Sequence, residues 1–462
     1  MALTDSSSRT LDDHGISRLL SREVKLQTWL DVEAALAQAQ AEHGVIPREA
    51  AENIKANAKY ENLDLALMDE IYRTVGHGFV PFVKVFVKAC DPEAGKYIHF
   101  GSTTQNIQQS SQSIILKQVN RKFLELTRQI LLNLADLAEA QADSVMAGRT
   151  HGKHAIPITF GYKVATWMSE ILMSVQRLEQ LEPRVFTVMM GGAVGAFNST
   201  GAVGLDVQRR VGEILGMDVM QIPSRAINSP KVEYINALAL LANNFHKLAE
   251  EVFQTSIEEF GEVSEGFKKG TIGSSTMPHK INPKLSKGII ANAQKLYSLT
   301  TVGYFSSARP FEADSTSNML FDGILDEAVG LMREVIVRMV ELSATLGVNA
   351  ERLHANANLN HGIDNSEYIM MKLAERLGKD QAHELVYDLA IDATVNHRKY
   401  SEVLLENEVV NSAFDQAEIA ELLKPENYIG LSAEIARDTA RQVRASCAPA
   451  HSPSTNPTHP RK

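Results

Sequence analysis

The chain has 462 residues, a formal net charge of −10, 44% apolar residues and 22% charged ones. That length can bury a large core without disulfides, and its only cysteines, Cys90 and Cys447, point to a reducing, cytoplasmic setting. The acidic balance argues against nucleic acid as the main partner. No run of eighteen apolar residues suggests a membrane span, and the opening MALTDSSSRTLDDHG has no signal-type apolar segment.

Residues 1 to about 111 read as shorter helices punctuated by Pro47, Pro81 and Pro92. Within them, IHFGSTTQNIQQSSQ from Ile98 is the first polar, glycine-bearing interruption. Its Thr103 and Thr104 could cap a helix starting near Ile107, or could face a ligand. Residues 112 to about 360 carry long apolar stripes at spacings of three and four. One runs from Ile115 through Phe123 and Ile130 to Leu137, a second from Ile235 through Phe245 to Val252, and a third from Leu325 through Met332 to Leu346. Such helices predict a side-by-side bundle that packs against copies of itself.

Three features interrupt this central part. AGRTHGKHAIP, from Ala147, holds His151 and His154 three apart, a spacing that puts both on one face of a helix. No HExxH and no cysteine pair accompanies them, so no metal is expected. RVFTVMM, Arg184–Met190, is a strand candidate ahead of a glycine-rich run, Gly191–Gly204. That run lacks the βαβ setting of a dinucleotide site, and no cofactor is expected. The third feature is GTIGSSTMPHKINPKLSKGI, from Gly270, too rich in breakers for a helix and too polar for a core strand. It is not a phosphate-binding P-loop, because His279 precedes Lys280. Its backbone N–H groups and a nearby ammonium could activate a serine or hold carboxylates. Residues 361 to 448 return to shorter helices, and 449–462, rich in Pro, Ser and Thr, read as a disordered tail. The predicted fold is all-α: a long central helical bundle with a smaller helical lobe at each end.

Gly273-Ser274-Ser275-Thr276-Met277-Pro278-His279-Lys280-Ile281-Asn282-Pro283 resembles the G-S-S-x-M-P-x-K-x-N signature of the fumarase/aspartase superfamily. AGRTHGKHAIP is similar to the family's T-H loop, IHFGSTTQNI to its H-x-G-x-T-S-x-D segment, and GHGFVPFV, from Gly76, to a histidine segment of adenylosuccinate lyases. The likeness spans roughly residues 15 to 445 and leans to the branch of adenylosuccinate lyase and 3-carboxy-cis,cis-muconate cycloisomerase. It implies a homotetramer whose active sites draw on three subunits, and reversible elimination from a small dicarboxylate, a substituted succinate, to fumarate. It implies Ser274 as base, His151 as acid and His77 in an assisting role. It implies substrate contacts from His99, Thr103, Thr104, Thr150, Ser275, Lys280 and Asn282. The superfamily also includes crystallin-like structural proteins, the alternative of a different class.

Departures from the pattern bear on substrate. Where adenylosuccinate lyases carry R-D-x-S-x-S-x-x-x-R, this chain has EADSTSNMLFD from Glu312, with Ala313 and Asp322 in place of the arginines. NSPKVE, from Asn228, replaces an R-D-R stretch, with Lys231 one position out of register, and Asn106 and Gln109 replace acids. An aspartate repels a phosphate that arginine would hold. These exchanges predict a phosphate-free substrate: aspartate, an N-substituted aspartate or a nitrosuccinate-like compound, with a cycloisomerase-type reaction on a tricarboxylate or adenylosuccinate cleavage as the alternatives.

Overall fold

The computed structural model describes residues 2–4, 10–266, 270, 272–312 and 314–448. The expected tail at 449–462, and Ala313, lie outside the described residues. In chain order the principal elements are α1 (Arg22–Glu42), α2 (Leu65–Val75), α3 (Val80–Ala89), α4 (Thr104–Ala140), β1 (Val145–Thr150), β2 (Lys153–Thr159) and α5 (Phe160–Gln180). There follow β3 (Thr187–Val188), α6 (Gly204–Leu215), β4 (Asp218–Val219), α7 (Ser229–Thr255), β5 (Val263–Ser264), α8 (Lys284–Ser307), α9 (Ser315–Thr345) and β6 (Gly347–Val348). The last long helices are α10 (Ser366–Leu377), α11 (Lys379–Val395) and α12 (Ser432–Cys447). No described helix is long and apolar enough to cross a membrane.

The protein is mostly helical, and the three apolar stripes fall within α4, α7 and α9; only Leu346 lies past the end of its helix. Three two-stranded sheets interrupt the helices among the described residues. The expected strand over Arg184–Met190 is corrected: Glu182–Val185 is a helical turn, and only Thr187–Val188 pairs, parallel to β4. Pro183 at the first positions of that turn favours helix over strand. Phe186, fully buried against Tyr234 at 5.1 Å, then sets where extension begins.

Two compact units divide the chain. The first takes residues up to 126, 174–243 and 288–338; the second takes 127–173, 244–287 and those from 339 on. The first unit has a core in which Trp29, Phe79 and Phe82 meet with centroids 5.0 to 5.2 Å apart. Helix α1 supplies Trp29 and starts at Ser21, whose hydroxyl accepts from Val24 N. Helix α2 is capped by Asp64 and ends at Gly76 in the left-handed region, which turns the chain into the His77 segment. The second unit has its own core, built by Ile369, Leu373, Val386, Tyr400 and Leu404 among others.

Within the second unit, the end of α4 and the start of α5 approach at backbone distance. Gly161 N donates to Gln141 O at 2.9 Å, and a Cβ at Gly161 would fall 2.5 Å from Ala138 O and 2.7 Å from Ala142 Cα. Backbone atoms give way less readily than a side-chain end. Gly161→Ala is therefore expected to destabilise by about 1–3 kcal/mol, the usual range for overpacking, seen as a lower urea midpoint at unchanged slope.

Candidate active site

Of the ten expected site residues, four belong to the first unit and six to the second. In the first, His99 is held most firmly. Its backbone adopts φ +62, its N donates to Glu33 Oε2 at 3.1 Å, and its Nδ1 lies 2.7 Å from Glu33 Oε1. Glu33 is 2% exposed, and the His99 ring packs 5.2 Å from Phe79. A carboxylate this buried is tolerated because both its oxygens are engaged. With Nδ1 turned to Glu33, Nε2 is the nitrogen left for other contacts.

His77 is exposed and lies just ahead of α3. Its Nδ1 accepts from Phe79 N at 3.1 Å and Val80 N at 3.2 Å, two of the unpaired donors at a helix start. Acceptance at Nδ1 leaves the proton on Nε2, so His77 presents a donor outward.

Helix α4 begins at Thr104, three residues earlier than expected. Neither threonine hydroxyl caps it, and among the described residues the hydroxyls of Thr103 and Thr104 have no hydrogen-bond partner. Asn106 organises the turn instead: its Oδ1 accepts from Thr103 N at 3.2 Å and from Gly192 N at 3.0 Å, and its own N donates to Thr103 O. Asn106 Nδ2 is buried without a partner. The threonine hydroxyls are therefore free donors at the N-terminus of a 37-residue helix, an electrostatically suitable place for a carboxylate.

In the second unit, the helical reading of His151 and His154 is corrected. Both belong to the β1–β2 hairpin, whose two-residue loop is His151–Gly152, with φ of 53 and 72. Two consecutive positive φ values are those of a type I′ turn, which matches strand twist and requires glycine or its substitutes. Thr150 and His151 form the exposed tip. His154 instead binds Asp364, Nδ1 to Oδ2 at 3.2 Å. Arg149, its partner across the strands, forms a two-point ion pair with Glu262, which is 1% exposed and also accepts from Asn356 Nδ2 at 2.8 Å. Arg149 also lies 5.0 Å from the centre of the Phe260 ring. Two long-range clamps thus hold the tip that carries His151.

The signature loop is closed at its base by Glu265. Its carboxylate accepts from Leu285 N at 2.9 Å and Ser286 N at 2.6 Å, capping α8. Within the loop, Asn282 Nδ2 donates to Gly273 O at 3.0 Å, and Lys284 Nζ to Ile272 O at 2.7 Å. Gly273 is required here, because a Cβ would sit 2.3 Å from Lys280 O. This fold-back aims the next residue: Ser274 Oγ accepts from Met277 N at 3.1 Å and Thr276 N at 3.4 Å. Ser275 and Lys280 are exposed. Asn282 is thereby seen to hold the loop rather than to stand free.

The decisive comparison is with families. A sequence model described as Lyase matches residues 12–295, well over half of the chain. The chain belongs to the fumarase/aspartase superfamily. It is an enzyme of the lyase class. A second model, described as adenylosuccinate lyase C-terminus, matches residues 362–439. The adenylosuccinate lyase of Methanocaldococcus jannaschii is 35% identical over 92% of this chain and 93% of its own. The N-acetyl-S-(2-succino)cysteine lyase of Enterococcus italicus is 32% identical over 89% and 90%. Among solved structures, a fumarate lyase from Mesorhizobium sp. BNC1 superposes with a TM-score of 0.86 at 29% identity, over 93% of this chain and 98% of that one.

Reasoning from sequence missed Glu33, Asp364, Glu262 and Glu265, the acids that hold the site residues in place. Only Glu33 left a signal, an acid inside the apolar run TWLDVEAALA of α1. The loop geometry makes a prediction: Gly273→Ala displaces Lys280 O and with it the Ser274 turn. Lyase turnover should fall at least about tenfold while the urea midpoint stays within error, because the loop lies outside both cores. Full activity in this variant would show that the fold-back is dispensable.

Proposed function

We propose that the protein catalyses reversible β-elimination from a small substituted succinate, releasing fumarate, with Ser274 as the base. The supporting observation is the pair of backbone N–H groups, from Thr276 and Met277, directed at Ser274 Oγ. Hydrogen bonds donated to an oxygen favour its charged form, so they lower the cost of an alkoxide at neutral pH.

The step balances as follows. Ser274, as its alkoxide, takes the proton from the carbon beside one carboxylate and ends as the hydroxyl. The electron pair left behind becomes the C=C bond, and the bond to the substituent breaks with its electrons going to the leaving atom. His151, at the hairpin tip, returns a proton to that atom, with His77 assisting through its outward Nε2–H. The charge that develops on the carboxylate needs donors already in place. Lys280, Ser275, the hydroxyls of Thr103, Thr104 and Thr150, and the Nε2 of His99 fill that role, with Asn282 keeping the loop folded. Residues of both units take part, and in this reading they come from different subunits of a homotetramer. Large exposed apolar side chains support self-association: Tyr304 at 59%, Phe305 at 71% and Met319 at 78% exposure.

The leaving atom in this reading is nitrogen of an aspartate or N-substituted aspartate, a nitro group, or sulfur, as the names of the succinocysteine relatives suggest. A second reading, adenylosuccinate cleavage, is favoured by the extensive likeness to adenylosuccinate lyases. Charge speaks against it. Asp322 stands exposed where an arginine would meet phosphate. Lys231 is held 5.1 Å from the centre of the Phe321 ring, and burial pushes its pKa down to about 8, although Asp322 pulls it back up. A phosphate that itself carries close to two negative charges calls for fully charged, bidentate donors.

Ser274→Ala should lower fumarate formation from the best substituted succinate by about 10²–10⁴-fold, the usual contribution of a general base, with an unchanged circular dichroism spectrum. Retention of more than about a tenth of the activity would move the base elsewhere. Adenylosuccinate should show a kcat/KM well below the roughly 10⁴ M⁻¹s⁻¹ of ordinary substrates; a value at or above that would reinstate the nucleotide reading.

A further inference from the structure

A cleft of about 390 Å³ lies within the first unit, walled by α1, α4 and α9. It starts where the candidate carboxylate donors end. Gln105, the residue after Thr104, lines its near edge, and Gln112 lies about 10 Å further along α4 at about 1.5 Å per residue. The amides on this wall are engaged with one another or with α9. Gln105 donates to Gln108, Gln109 to Gln105 and Asn318, and Gln112 to Asp322. Arg22 is occupied too, ion-paired with Asp69 at 2.6 Å.

Three charges and one hydroxyl remain. Asp322 and Asp326 project into the cleft one helical turn apart on α9, and neither has a basic partner within ion-pair distance among the described residues. Like charges at this spacing repel, and nothing in the helix offsets them. Burial raises the Asp326 carboxyl above its ordinary range, Lys25 opposes this and Asp322 adds to it. Lys231 also acts on Asp322 but does not line the cleft. Lys25 lines the cleft with its ammonium 5.6 Å from the Trp29 ring centre and no carboxylate in ion-pair range. Ser111, 1% exposed, lines the same cleft, and its Oγ is buried with no hydrogen-bond partner. Burying a hydroxyl without a hydrogen bond is unfavourable, so its partner is expected from a ligand.

We propose that this cleft receives the departing group of the succinate as a free amino acid: its ammonium between Asp322 and Asp326, its carboxylate toward Lys25, with Ser111 as a further contact. The assignment rests on the elimination reading for its chemistry and names the class of leaving group. It separates this chain from a lyase whose leaving group has a blocked amine, since acetylation removes the positive charge that the two aspartates are placed to meet.

A matched pair of compounds tests it: S-(2-succino)cysteine and N-acetyl-S-(2-succino)cysteine, which differ only at the amine. Titration calorimetry on the wild-type protein should give at least tenfold tighter binding of the free amine, about 1.4 kcal/mol. In Asp322→Asn/Asp326→Asn that ratio should fall to within about twofold. In Lys25→Met both compounds should weaken together. Equal binding, preference for the acetylated compound, binding of neither, or a ratio unchanged in the double variant would overturn the assignment. Fumarate release from the same pair distinguishes the two levels. Preferential binding of the free amine without release of fumarate keeps the cleft and removes the elimination reading for sulfur. Release from both at equal kcat/KM keeps elimination and removes the cleft.

Discussion

The carboxylate of Glu265 is the constraint from which the signature loop derives its shape. By accepting from Leu285 N and Ser286 N it caps α8 and closes the loop on itself. Two unpaired donors at a helix start and a carboxylate are complementary in both hydrogen bonding and dipole. Once the base is closed, the shorter links inside follow, from Asn282 to Gly273 and from Lys284 to Ile272. The glycine then lets Lys280 O approach to a distance that a side chain would forbid. The orientation of Ser274 is the last consequence. A loop without a cap at its base would cost more chain entropy to hold in one conformation.

A related device, an acid far away in sequence, recurs at three places near candidate residues. Glu33 holds His99, Glu262 holds Arg149, and Asp364 holds His154. In each case the acid is buried or nearly so, and its partner is either the candidate itself, as at His99, or a residue of the hairpin that carries His151. Chemistry is thereby separated from support: His99 Nε2, the His151 ring and the hydroxyls of Thr103 and Thr104 stay free while His99 Nδ1, Arg149 and His154 meet the acids. The price is a set of buried carboxylates, and removing any one partner would leave its mate uncompensated.

This division explains what the sequence made legible. The long helices were readable because α4, α7 and α9 each bury one continuous face, and burial on one face imposes the three-and-four spacing. The G-S-S segment stood out because its glycines, prolines and lysines contradict the helices around it. The hairpin at His151 did not: the three-residue gap to His154 fits a helix face as well as a turn with a following strand, and only the two positive φ values separate them. The Arg184–Met190 segment misled for a related reason, since β-branched and aromatic residues there serve a buried turn and one short parallel pair. Glu262 and Glu265 could not be found from pattern, because their roles arise from partners 113 and 20 residues away. The cleft at Asp322 shows the converse: the exchange was plain in the sequence, while its pairing with Asp326, Lys25 and Ser111 emerges only in three dimensions.

The central claim is that one positioned group, Ser274, exchanges a proton at the carbon beside a carboxylate. The most direct measurement runs the reaction backwards in D₂O, adding an amine or thiol to fumarate, and reads the product by proton NMR. A base that is fixed over one face delivers deuterium to one diastereotopic position only. The account predicts a single deuterium at a single position, formed by the wild-type protein and not by Ser274→Ala. Equal labelling of both positions, or unchanged labelling in the variant, would contradict it.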